Sequence, residues 1–148
     1  MKKLSILLGL SIALATAPAH AQDFEAFAWS GSCDNDLYCV ALANGKAPTG
    51  ETMQLKLERP ADPDAAIFVT VRVPFAQELT VGVPVTITVL ESGFREASNT
   101  ERVYRGNEMT FGGAADRPLV EQLKANTTAR VDVDLISHGS VVSYNVPL

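Results

Sequence analysis

Met53-Gln54-Leu55-Lys56-Leu57-Glu58 is the stretch that decides the fold. Its apolar and polar residues alternate without a break. Met53, Leu55 and Leu57 therefore share one face, and Gln54, Lys56 and Glu58 the other. A period of two belongs to a half-buried β-strand, whose successive side chains point to opposite sides. The chain beyond it continues in the same manner. Pro60, Asp62, Pro63 and Asp64 make a turn. Residues 67–73 form a β-branched run that suits a more deeply buried strand, ended by Pro74. Residues 79–83 turn about Gly82 into a strand over 85–90, where Val85, Ile87 and Val89 alternate with Thr86 and Thr88 until Gly93. Residues 92–107 are polar and charged, a loop with one strand over 102–104. Glu108–Phe111 adds another strand, closed by Gly112-Gly113. Residues 128–136 and 140–146 make a final hairpin about His138-Gly139.

One helix interrupts this series. Asp116 caps Asp116–Ala125, Pro118 sits in its first turn, and Leu119, Val120 and Leu123 share a face. Short strands with frequent turn signals predict an all-β domain, an immunoglobulin-like β-sandwich of about eight strands with one short helix.

Two cysteines, Cys33 and Cys39, enclose Asp34-Asn35-Asp36-Leu37-Tyr38. Asp and Asn form turns readily, so Trp29–Cys33 and residues 38–40 read as strands stapled by a Cys33–Cys39 disulfide. A redox site wants two intervening residues and a helix N-terminus, and zinc wants more Cys and His than this chain has. Calcium at Asp34, Asn35 and Asp36 would need about six oxygens and usually a turning glycine.

The N-terminus supplies the compartment that a disulfide needs. Lys2 and Lys3 precede an apolar run over residues 4–15, and Ala19-His20-Ala21 offers small residues for cleavage. That is the pattern of a secretory signal over residues 1–21, too short to span a bilayer, and it points to the periplasm or to secretion. One domain over residues 22–148 remains. Loss of the two signal lysines takes the net charge from −5 to −7, which disfavours nucleic acid and anionic membranes as partners.

Catalytic chemistry is sparse. Beyond the signal the sole histidine is His138, in a turn beside Ser137 and Ser140, so a hydrolase built on it is the weaker reading. Asp132 and Asp134 share a strand face as a carboxylate pair, better explained as solvated acids. Asn126-Thr127-Thr128 matches a glycosylation sequon without evident consequence. No cofactor is expected. Phe24, Phe27, Trp29 and Tyr38 cluster about the disulfide hairpin, chiefly as core, and Trp29 and Tyr38 are also candidate partner-binding anchors. Phe94 and Arg95, in the loop over residues 93–106, form the second candidate contact surface.

Trp29-Ser30-Gly31-Ser32-Cys33-Asp34-Asn35, followed by Cys39 and Ala41, resembles the opening of the invasion-associated locus B family and of related proteobacterial periplasmic proteins. Val73-Pro74-Phe75 through Leu79 and Gly82-Val83 is similar to that family's proline-then-glycine turn. Residues 119–125, 129–133 and 140–148 look like its short helix and closing hairpin. Members often carry a second cysteine pair before the helix, where this chain has none. The resemblance implies an immunoglobulin-like sandwich in the periplasm or at the cell surface, and it brings no catalytic residues. The leading expectation is an exported, non-enzymatic binding or envelope-associated protein whose partner is a protein or envelope component. The alternative is a secreted inhibitor of a host or competitor enzyme such as a lysozyme, a basic target matched by charge.

Overall fold

A computed structural model describes residues 22–26, 28–62, 64–74, 77–98, 103–111 and 116–148. The expected signal over residues 1–21, with Phe27, Pro63, Phe75, Arg102 and Gly112-Gly113, lies outside the described residues. In chain order the elements are β1 (Gln22–Ala26), β2 (Trp29–Cys33), β3 (Cys39–Lys46), β4 (Thr52–Arg59), β5 (Phe68–Arg72) and β6 (Thr86–Val89). There follow β7 (Arg95–Ala97), β8 (Val103–Arg105), β9 (Glu108–Phe111), α1 (Asp116–Ala125), β10 (Thr128–Leu135) and β11 (Ser140–Pro147).

The eleven strands join one antiparallel sheet in the order β7-β6-β10-β11-β3-β4-β5-β9-β8, with the β1–β2 hairpin attached to β3. The sheet curls into a half-barrel. It therefore differs from the two separate sheets of the expected immunoglobulin-like sandwich. Curling lets one sheet supply the facing apolar layers that two would otherwise provide. The strand count differs as well. β7 is a three-residue edge strand of sequence Arg-Glu-Ala, with no apolar alternation to reveal it. β1 is held by pairing with β2 along its full length. β3 is eight residues long and draws its length from pairing with β4 at every position from Cys39 to Lys46.

β3 is also where the sheet forks. Its second edge is shared between β2, over residues 39–43, and β11, at the single pair Lys46↔Asn145. Gly45 stands beside that junction. A Cβ there would lie 2.7 Å from Met53 Sδ and 2.8 Å from Val146 Cγ2, so only glycine lets β11 approach so closely.

The alternation read from the sequence sets the core. Met53 and Leu55 of β4, Val69 and Val71 of β5, Ile87 and Val89 of β6, Met109 and Phe111 of β9 are all buried. Ala129, Val131, Val133 and Leu135 of β10, with Tyr144 and Val146 of β11, complete the inner face. Leu119, Val120 and Leu123 of α1 join the same cluster. Burying such side chains contributes roughly 1.5–3 kcal/mol each against the entropy of ordering the chain.

Candidate functional site

Because β6, β10 and β11 turn their branched residues inward, the intervening positions face out. These outward side chains build an open groove of about 490 Å3, lined by Thr86, Arg95, Arg130, Asp132, Asp134 and Ser143. Val83, Pro84 and Val141 add apolar lining. Asp132 and Asp134 do share a face, as period two requires, and both line the groove. Each is engaged. Ser143 Oγ donates to Asp132 Oδ1 at 2.6 Å, and Arg130 Nε lies 3.2 Å from the same oxygen. The Thr80 hydroxyl donates to Asp134. These carboxylates are fixed acceptors, held still by neighbours.

The disulfide hairpin is a second ordered feature. Cys33 and Cys39 are bonded. Asp34 Oδ1 accepts the N–H groups of Asp36 (3.0 Å) and Tyr38 (2.9 Å), while the Asp34 N–H donates to the Tyr38 carbonyl at 2.9 Å. The Asp34 carboxylate thus organises its own loop, an Asx turn inside a staple. Leu37 at the tip has φ of 65° and is 61% exposed. A leucine in left-handed backbone is strained, because its Cβ crowds the following carbonyl. Leu37→Gly is expected to stabilise the protein by about 1 kcal/mol. A urea midpoint unchanged or lowered in the variant would contradict that strain.

The Tyr38 hydroxyl donates to the Glu58 carboxylate. That bond, then burial, then the charges of Glu58 and Asp34 push Tyr38 up to about 12. For Glu58 the largest single effect, burial, pushes its carboxyl up. The hydrogen bonds from Tyr38 and Lys56 and the charges of Lys56 and Arg72 outweigh burial, so the net position is below the ordinary value. The signs give opposite pH windows. Tyr38 ionises later in the folded state than in the unfolded chain, so its contribution is full below pH 10 and is lost as pH rises toward 12. The Glu58 contribution is present above its unfolded value and is lost in acid. Ultraviolet titration is expected to show a late tyrosinate step near pH 12 that Tyr38→Phe removes. A Tyr38 midpoint near 10 would mean that the bond to Glu58 is not held in solution.

The four candidate contact residues do not converge. Arg95 lines the groove, whereas Phe94 and Trp29 are half-buried against the core. Tyr38 stands at the disulfide hairpin, and β11, β10 and β6 intervene in the sheet between β3 and β7. Phe24 belongs to β1. Among the described residues, His138 does not meet a serine hydroxyl. Its Nε2 lies 2.9 Å from Glu51 Oε1, and Ser140 Oγ donates instead to the His138 backbone carbonyl at 3.5 Å. The sequence reading overlooked Arg130 and Ser143 as groove residues. The signal that would have found them is the same period of two, carried across the hairpin from residue 128 to 143.

A curled antiparallel sheet, a hairpin disulfide and one short helix before a closing hairpin define the fold. A solved structure is similar in fold. Invasion associated protein B from Bartonella henselae, known from its crystal structure, is 16% identical, and the likeness covers 85% of this chain and 87% of that one at a TM-score of 0.61. At this identity the likeness is one of fold. The Bartonella protein is matched over most of both chains, so the shared feature is the whole architecture rather than one hairpin. No family model matches the sequence. No curated protein matches it either.

Proposed function

We propose that this chain is an exported, non-enzymatic binding protein that works in the periplasm or at the surface of a bacterial cell. The observation that carries the reading is the groove across β6, β7, β10 and β11. Its carboxylates are fixed by Ser143, Arg130 and Thr80, so it presents a set surface of donors and acceptors. Preorganised polar groups of this kind suit recognition, because little ordering remains when a ligand arrives. The signal pattern over residues 1–21 and the bonded cysteines support export. The fold shared with invasion associated protein B favours a role at the envelope.

The test is fractionation of cells producing the chain, followed by N-terminal sequencing. The protein is expected in the periplasmic or culture fraction, starting at Gln22. Full-length protein confined to the cytoplasm with Met1 retained would reject export.

A further inference from the structure

Antiparallel partners lie directly opposite each other and project from the same face, so register reveals rows of side chains that run across a sheet. One such row crosses five strands on the outer face. Arg95 of β7 pairs with Thr88 of β6, and Thr88 with Arg130 of β10. Arg130 pairs with Asn145 of β11, and Asn145 with Lys46 of β3. Three cations thus stand at alternate strands, separated by the uncharged polar residues Thr88 and Asn145, on a chain whose formal net charge is −5. With strands about 4.8 Å apart, successive cations are roughly 10 Å apart along the row.

We infer that this row, with the groove beside it, binds an extended acidic polysaccharide through carboxylate or sulfate groups. The proposal rests on the binding reading above and names its ligand class. Four features favour a glycan. Arg130 gives its Nε to Asp132, which fixes the guanidinium and leaves the terminal nitrogens for an anion. The Asn145 amide is exposed between Arg130 and Lys46 in register and offers both a donor and an acceptor. Asp132, Asp134 and Ser143 line the neighbouring groove, where carboxylates accept from sugar hydroxyls. Val83, Pro84 and Val141 add apolar lining to that groove for the C–H faces of sugar rings. A nucleic acid carries fewer hydroxyls to satisfy the same aspartates, so it meets them chiefly as repulsion.

The experiment is titration calorimetry of the purified protein against polygalacturonate (carboxylate), heparin (sulfate), neutral dextran and a thymidine oligonucleotide. Arg95→Gln, Arg130→Gln and, as an outlying control on α1, Lys124→Gln are compared, each checked by circular dichroism. Binding of either charged glycan, weakened about tenfold by each arginine change and by higher salt but not by Lys124→Gln, is the expected result. Arg95→Gln lies on an edge strand, so it keeps the test open if Arg130→Gln fails to fold. Equal binding by the arginine variants, equal binding of dextran, tighter binding of the oligonucleotide, or no binding of either charged glycan overturns the proposal. Since purified protein is used, these outcomes are independent of where fractionation places the chain.

Discussion

Leu119→Ala is expected to lower the stability of the folded chain by about 3 kcal/mol, within the usual range for truncating a buried leucine. Leu119 is fully buried, and Leu123 and Val120 of the same helix are buried beside it. A curled sheet that stops short of closing leaves its inner face open on one side, and α1 brings apolar side chains into that core. Removing the isopropyl group discards its transfer energy and leaves a void that a sheet of fixed register cannot collapse to fill. Urea unfolding should show a lower midpoint with an unchanged slope, and the thermal midpoint should drop by roughly 10 °C. A loss below about 1 kcal/mol would mean that α1 rests on the surface and does not complete the core.

Replacing Cys33 and Cys39 together by serine is expected to cost about 2 kcal/mol. The bond closes a short loop with a sequence separation of 6, so the chain-entropy contribution lies at the low end for a disulfide. Much of the loop's order has other sources, since Asp34 holds Asp36 and Tyr38 through its carboxylate. The two serines should therefore leave far-ultraviolet circular dichroism mainly β while lowering the urea midpoint. Loss of the β spectrum would show that the staple is needed for the β2–β3 pairing itself. Mass spectrometry of the unreduced protein should find no free thiol, because both cysteines are paired.

How much of this was legible in the sequence depended on the physical origin of each element. Residues 53–58 and 128–135 alternate because one of their faces is buried, so pattern alone located β4 and β10. Asp116–Ala125 was legible from its first-turn proline and its apolar stripe, and the helix occupies those residues. β3 was read too short. Ala41-Leu42-Ala43-Asn44-Gly45 has no β-branched residue, and its extended form comes from neighbours on both edges. β7 escaped notice because an exposed edge strand needs no apolar residues. Phe94 was read as a contact residue in a polar loop, yet it anchors that segment to the core. The groove illustrates the same point. Arg95 was singled out by residue type, whereas its relation to Thr88 and Arg130 is set by pairing between segments far apart in sequence.

The fork at β3 has a consequence for how the chain must be made. β1 to β5 pair with sequence neighbours and can zip together as they emerge, while the junction Lys46↔Asn145 joins residues almost a hundred positions apart. A chain delivered N-terminus first therefore waits for its last few residues before the half-barrel is complete. Until then the apolar side of β3, β4 and β5 faces solvent, a state prone to stick to other chains and slow to resolve. Holding chaperones would act on that interval, and truncating β11 would prolong it indefinitely.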